Sequence, residues 1–541
     1  MHYIPLLSFI YLCLSLDEVQ AQYSSAPIVD LGYAIYQGVF NETSNTTDFL
    51  GVRYAAPPVG NLRFQAPAPP LNETSLGVQL ADTVSVGCPE AGSGTNISTP
   101  FRSGNGNNLR RRQSTDPEDC LFLNVFISGP LNPAAKMPVL VWIHGGGYVA
   151  GSTQGTSGDD LIREAGGGLV VVNMDYRLGV FGFLPGSQVK EKGSLNNGLL
   201  DQQAVLQWIQ TNIHLFGGDA NEVTIWGESA GAGSVLQHMI AHGGNTQPPL
   251  FKGAISSSLF VPSQYNFDDP IPEQIYTEFV QTTGCANATD TFQCLVNVDE
   301  GTLQDANVEI NLSGFFGAFV VVPVIDGDLI VAPPSATIEN GTLNGERLLT
   351  ITNTFEGTIF VNSMFSAQMT TADYVTQLFP NFNSTEISAA AAQYTNVSDL
   401  PTVNDQAIAI MGESIFICPT YLLLNSFQGP SFKAEFAIPP GTHGSDVQYY
   451  FPNGNAPAFP NVAFDASFAG AFTAFAKSGD PNVHPVSTVI TPTWNLFNNS
   501  NTEMLFNRTE DFQPDIRATT TDPALLERCA FWKSVSASAA Q

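Results

Sequence analysis

The apolar run Val223-Thr224-Ile225-Trp226 passes directly into Gly227-Glu228-Ser229-Ala230-Gly231, and a helical run follows over Ala230–Ile240. A chain can turn this sharply from strand to helix only with glycine on both sides. A Cβ two residues before or after the serine would strike the neighbouring strand or the helix. The turn holds Ser229 Oγ above the sheet edge at a helix N-terminus, where developing negative charge is favoured. As a bare pattern, Gly-x-Ser-x-Gly equally describes a surface turn. The strand before it and the helix after it mark Ser229 as a nucleophile on an elbow.

A nucleophile of this kind needs donors for the oxyanion it creates. Val139-Leu140-Val141-Trp142-Ile143 is a continuous apolar strand that runs into His144-Gly145-Gly146-Gly147. Glycines at that position let backbone N–H groups converge on one point. The amides of Gly146 and Gly147, with that of Ala230 as a third donor, are the expected oxyanion hole.

In this arrangement the acid and then the histidine follow the nucleophile along the chain. His2 lies in the presequence and His144 opens the glycine loop, while His214, His238 and His242 lie too near the elbow. His443 and His484 remain. His443-Gly444 sits in the loop beyond the alternating strand Phe432–Ile438. His484 follows the turn cluster Gly479-Asp480-Pro481-Asn482, after the helical run Ser467–Lys477, and reads as a surface residue. His443 is the expected base. For the acid, Glu356 follows the strand Leu348–Thr352 in the turn Phe355-Glu356-Gly357-Thr358. Asp326, in Val324-Ile325-Asp326-Gly327, is the alternative, although Asp-Gly there has the look of an ordinary turn.

Met1–Ala21 reads as a secretory signal, with an apolar core from Ile4 to Leu16 and a Val-Gln-Ala cleavage site. No later run approaches the ~20 apolar residues of a membrane span. Cys13 leaves with the signal, and the six remaining cysteines suit an oxidising compartment. Asn-x-Ser/Thr acceptors recur from Asn41 and Asn45 through Asn311 to Asn507, as in a glycosylated extracellular protein. A formal charge of −30 disfavours nucleic acid and anionic membranes as partners. Residues 22–541 exceed the ~150-residue domain prior, yet no linker or repeat divides them. The catalytic motifs span Gly145 to His443, so one large domain must close around them. Strands at Val139–Ile143, Leu169–Met174 and Val223–Trp226, with helical spacing at Leu206, Ile209 and Ile213, predict a mostly parallel sheet covered by helices.

Further motifs occur in order along the chain: Leu50-Gly51-Val52-Arg53-Tyr54, Pro57-Pro58-Val59-Gly60, Glu118-Asp119-Cys120-Leu121, Asp175-Tyr176-Arg177-Leu178-Gly179 and Phe216-Gly217-Gly218-Asp219. Asn197-Gly198-Leu199-Leu200-Asp201-Gln202 and Cys529-Ala530-Phe531-Trp532 belong to the same series. Together they resemble the type-B carboxylesterase/lipase family, which includes cholinesterases and secreted fungal lipases. The resemblance implies an α/β-hydrolase fold with a large, mostly parallel central sheet in one domain. It implies a glutamate acid in a Glu-Gly-Thr turn, matching Glu356, and a histidine followed by glycine, matching His443. The pairs Cys88–Cys120 and Cys285–Cys294 are similar to family disulfides. Cys418 and Cys529 form a third bridge or stay as separate buried thiols. Glu228 matches a family glutamate that either steadies the histidine or is simply buried and hydrogen-bonded. Ser257 fits a family serine near the triad, though its neighbours differ.

The function implied is a secreted esterase acting on neutral carboxylic esters, its substrate a small-molecule or lipid ester. The alternatives are a lipase at oil–water interfaces or an adhesion or carrier relative without catalysis. The triad mechanism needs no metal or organic cofactor, and no Cys/His cluster has metal spacing. Activity is expected to fall near or below the ~6.5 reference pKa of histidine. The Cys88–Cys120 loop is a lid in the family's lipases and carries a cation-binding aromatic residue in cholinesterases. Here it is polar and glycine-rich, with Phe101 as its only aromatic residue and Ile97 and Leu109 as its larger aliphatics. That composition points away from both devices. Arg110-Arg111-Arg112 is a solvated tip or a processing site.

Overall fold

Side chains alternating between two buried faces build the centre of the molecule. Val139, Val141 and Ile143 enter one hydrophobic core, and Leu140 and Trp142 enter the other. Val170, Val172 and Met174 likewise oppose Val171. A strand buried on both faces must read as an unbroken apolar run, which is how these segments read. The computed structural model describes residues 26–102, 117–454, 456–484, 488–497 and 500–541. The expected signal segment 1–21 and the Arg110-Arg111-Arg112 triplet lie outside the described residues.

The main sheet has 11 strands. They are β1 (Val39–Asn41), β2 (Thr46–Arg53), β3 (Phe122–Ser128), β4 (Met137–Ile143), β5 (Val170–Met174), β6 (Gly218–Glu228), β7 (Gly253–Ser257), β8 (Arg347–Asn353), β9 (Ser431–Phe436), β10 (Thr502–Arg508) and β11 (Pro514–Thr520). Their spatial order is β11-β10-β9-β8-β7-β6-β4-β5-β3-β2-β1. Every ladder from β10 across to β5 is parallel, and antiparallel pairs occur only at the two margins. A separate three-stranded sheet joins Ile28–Asp30, Ile35–Gln37 and Val78–Leu80. This is the α/β-hydrolase architecture in a single domain. The strand before the elbow is longer than the sequence predicts, Gly218–Glu228 rather than Val223–Trp226.

One face of the sheet is covered by the elbow helix Ala230–Gly244 and by Asn197–Asn212, through Val205, Leu206, Ile209, Val235 and Met239. The other face packs on Val462–Ser478 in an aromatic layer. Trp226 stacks on Phe472 at 5.3 Å and meets Trp142 edge-on at 5.2 Å. Truncating such a buried ring to alanine costs ~3–5 kcal/mol.

Three disulfides cross-link the chain, Cys88–Cys120, Cys285–Cys294 and Cys418–Cys529, and every cysteine in them but Cys294 is buried. The third decides the choice that the sequence leaves open for the last pair. Among the glycosylation acceptors, Asn311 is fully buried and its side-chain amide donates to Asn307, so the folded chain offers no access there. The helical run Val403–Ser426 is, by length and composition, apolar enough to cross a membrane, contrary to the expectation that no such run occurs. It is mostly buried, as befits a core helix beneath the site.

Candidate active site

The parallel ladders bring several strand ends level. Ile143 pairs with Gly227, Ser257 with Glu228, and Asn353 with Phe436. The loops leaving β4, β6, β7, β8 and β9 therefore open at one edge, the carboxyl edge where such sheets gather their chemistry.

Ser229 sits at the tip of β6 with φ 56 and ψ −123, a backbone conformation that a non-glycine residue adopts only when its surroundings impose it. The imposition comes from close packing. A Cβ on Gly227 would overlap the backbone of Gly231, and one on Gly231 would overlap the Ile143 carbonyl and approach His144 O to 2.9 Å. Elbow and glycine loop thus press against each other. In that loop Gly147 has φ +65, and a Cβ there would enter the Phe319 ring. Among the described residues, the amides of Gly146, Gly147 and Ala230 have no acceptor within the protein. His144 is buried and stacks on Tyr176 at 4.3 Å, and Tyr176 donates its hydroxyl to His144 O at 2.8 Å. Burial pushes the His144 pKa down to about 4, so this ring is a neutral strut for the loop.

Glu356 and His443 meet because β8 and β9 stay paired past their ends. Phe355 N donates to Gly441 O at 2.8 Å, and Phe355 bridges Thr442. His443 Nδ1 lies 2.6 Å from Glu356 Oε2, with both side chains buried. Glu356 Oε1 accepts from Asn353 N at 2.6 Å and from Ser258 Oγ at 2.7 Å. On the other side of the ring, His443 Nε2 is buried and has no hydrogen-bond partner among the described residues. It stands 3.3 Å from Glu228 Oε1, in the residue that precedes Ser229. Burial opposes charge on His443, but Glu228 and Glu356 outweigh it and carry its pKa up to about 9. Burial carries Glu228 up to about 7. Of the two roles that the sequence leaves open for Glu228, its carboxylate is thus placed to act on the imidazole.

A profile of the carboxylesterase family matches residues 25–532. The chain belongs to the carboxylesterase family. The carboxylesterase patB of Aspergillus clavatus is 32% identical over 523 residues, covering 88% of this chain and 92% of that protein. Secreted lipase 1 of Botryotinia fuckeliana is 31% identical, over 85% of this chain and 86% of its own. The crystal structure of Aspergillus niger EstA superposes with a TM-score of 0.82 at 29% identity, covering 96% of this chain and 99% of that one. The protein is a carboxylic ester hydrolase.

Beside the glycine loop of this enzyme opens a cleft walled by Phe101, Phe260, Phe315, Phe319, Met411 and Ile415. Aromatic contacts lead from it to the histidine: Phe319 to Phe260 at 5.5 Å, Phe260 to Phe416 at 5.6 Å, and Phe416 to His443 at 4.5 Å. An apolar chain of a substrate can lie along this wall.

The alternatives weighed from sequence fall elsewhere. Asp326 accepts from the amides of Asp328 and Ile330 and from Asn196, which makes it the organiser of its own turn. His484 has no hydrogen bond to Ser229, Glu356 or Glu228. Ser257, the residue that resembles a family serine near the triad, does not contact Glu356. Its Oγ accepts from Trp226 Nε1 at 3.0 Å, and Ser258 reaches Glu356 instead. Behind Ser258, Asn353 Nδ2 donates to Ser258 Oγ at 3.1 Å and to Asp446 Oδ1 at 3.0 Å, while Tyr450 donates to Asp446 Oδ2. Neither Asn353 nor Asp446 stands out in sequence. The only signal is that each lies within three residues of Glu356 or His443.

Proposed function

We propose that this enzyme is a secreted serine esterase that cleaves neutral carboxylic esters with Ser229 as nucleophile, His443 as base and Glu356 as acid. The observation that carries the reading is the asymmetry of His443: Nδ1 is tied to buried Glu356 at 2.6 Å, and Nε2 is buried, makes no hydrogen bond among the described residues and faces Glu228 of the elbow at 3.3 Å. An imidazole held in that way has one nitrogen fixed and one free to take a proton.

In the reaction, Ser229 Oγ attacks the ester carbonyl carbon as His443 Nε2 takes its proton. The carbonyl oxygen becomes an oxyanion held by the amides of Gly146, Gly147 and Ala230. Collapse breaks the ester C–O bond, and the departing alkoxide takes the proton from His443. Water repeats the sequence on the acyl-enzyme and releases the carboxylic acid, returning Ser229 and neutral His443. Glu356 fixes the imidazole orientation and offsets its charge in both halves.

Secretion is supported by the apolar Met1–Ala21 segment, by three disulfides of the kind that persist in oxidising compartments, and by a relative whose name describes a secreted lipase. The mature domain is then 22–541. Incubation with a phosphonate ester and mass mapping of the adduct tests the nucleophile. A single modification on Ser229 with parallel loss of activity is expected, and stoichiometric labelling of any other residue overturns the assignment. Protein recovered from culture medium should begin at Gln22.

A further inference from the structure

Between the helices Val403–Gly412 and Cys418–Ser426 the chain winds as a π-helix over Glu413–Ile417. Such turns are uncommon and recur at functional sites. Part of the cause lies in Pro419, which has no N–H to offer the Ile415 carbonyl. That carbonyl accepts from Val261 N at 2.9 Å instead, and Ser414 Oγ donates to Ile410 O at 2.6 Å.

The turn determines which side chains face the reaction. Met411 and Ile415 wall the cleft, and Phe416 packs on His443 at 4.5 Å while stacking on Phe360 at 5.4 Å. An α-helical winding over 413–417 would rotate Ile415 and Phe416 relative to Met411 and away from their present neighbours.

At the far side of the turn, the buried Glu413 carboxylate is gripped from the helix Pro523–Ser534. Arg528 Nε and Nη2 each donate to it at 2.7 Å, in the two-pronged geometry that only arginine provides. Tyr394 donates its hydroxyl to Glu413 at 2.9 Å, and Trp532 Nε1 in turn donates to Tyr394 at 2.6 Å. The Cys418–Cys529 bridge joins the first residue of the helix after the turn to the same helix Pro523–Ser534. Arg528 and Tyr394 meet on the one Glu413 carboxylate, and the disulfide follows immediately after the short non-α segment, whose opposite side forms the cleft wall and the backing of His443.

We propose that Arg528 is a positioning residue for ester hydrolysis, acting through Glu413 to hold the 413–417 turn so that Phe416 seats His443 and Ile415 and Met411 set the acyl-chain wall. The proposal rests on the reading of His443 as the base.

The test uses the secreted full chain and nitrophenyl esters of increasing acyl length. Arg528→Gln should stay folded by circular dichroism, with kcat lowered about 10-fold and KM rising more for octanoate than for acetate, since displacement of a catalytic group by about 1 Å is costly. Glu413→Gln should behave alike, and the double variant should be no worse than either single one. Arg528→Lys keeps the charge without the fork and should recover only part of the loss. Should Arg528→Gln fail to fold, Phe416→Leu tests the same contact from the other side, with kcat falling and the acyl-length ranking shifting. A purely structural clamp would lower the unfolding temperature and leave the acyl-length ranking intact, which overturns the proposal, as does an unchanged kcat in folded Arg528→Gln or Phe416→Leu. His443→Ala separates the two readings. If it retains activity, the base assignment and this proposal fall together; if it is inactive while Arg528→Gln is normal, this proposal alone falls.

Discussion

Ser258 donates its hydroxyl to Glu356 Oε1 at 2.7 Å from a backbone held at φ 57. Glycine would occupy that conformation without cost, whereas serine is strained there. The hydroxyl is what the strain retains. Asn353 Nδ2 donates to Ser258 Oγ at 3.1 Å, which turns the serine proton toward Glu356 and leaves Oε2 to face His443. Ser258→Gly is therefore expected to keep or raise the unfolding temperature while kcat falls about 10-fold, the scale of a lost hydrogen bond to a charged group. Thermal melts alongside steady-state kinetics check this, and parallel losses of stability and rate would count against it.

Ser229→Ala and His443→Ala should each leave a folded, secreted protein with activity reduced ~10⁴–10⁶-fold, because triad members act as a unit. His484→Ala should be nearly silent. Asp326→Asn should lower the unfolding temperature through its turn, which receives the Asp328 and Ile330 amides, and leave kcat close to normal. Retention of a tenth of the wild-type rate in Ser229→Ala would end the nucleophile assignment.

Much of this site is legible in the chain because its chemistry forces unusual sequence. Gly227 and Gly231 are required by backbone contacts within the elbow and with β4, so they announce Ser229. Strands buried on both faces, such as Val139–Ile143, read as apolar runs whose ends locate the loops. Less legible are residues whose role depends on register across the sheet. Whether Ser257 or Ser258 meets Glu356 turns on one residue of phase where β7 ends, and three consecutive serines carry no phase. The pairing of Cys418 with Cys529 depends on two helices packed together across 111 residues, which no local pattern records. The π-helical turn is invisible for the same reason, since an apolar helix and an apolar helix with one widened turn have the same composition.

The pH profile should depart from that of an isolated histidine. The base must be neutral to take the serine proton, and Glu228 and Glu356 favour its protonated form, so the acid limb of kcat/KM should lie above pH ~6.5 rather than at or below it. Glu228→Gln removes one of the two carboxylates facing the ring. Lower His443 pKa means a neutral base at lower pH, so the limb should move down toward the ordinary value. An upward move, or none, would show that Glu228 does not act on the imidazole.

The Cys88–Cys120 loop bears on whether the enzyme responds to a lipid surface. Its described part is anchored over the cleft. Thr99 N donates to Gln377 Oε1 at 2.8 Å, Arg102 Nε donates to Pro380 O at 2.8 Å and its guanidinium also reaches Phe382 O, and Phe101 lies along the cleft wall. A lid opens at an interface when the apolar area it uncovers, at roughly 25 cal/mol per Å², outweighs the contacts that hold it closed. Here those contacts are polar and the loop offers Phe101 and Ile97, with Ile97 already partly exposed. Soluble short- and medium-chain esters should therefore saturate smoothly, with no step in rate at the solubility limit, and emulsified long-chain triglycerides should be poor substrates. Arg102→Ala should loosen the loop, raising KM for soluble esters without creating such a step. A several-fold jump at the solubility limit, or faster turnover of emulsified triolein than of a soluble butyrate ester, would show that a lid elsewhere in the chain responds to the interface.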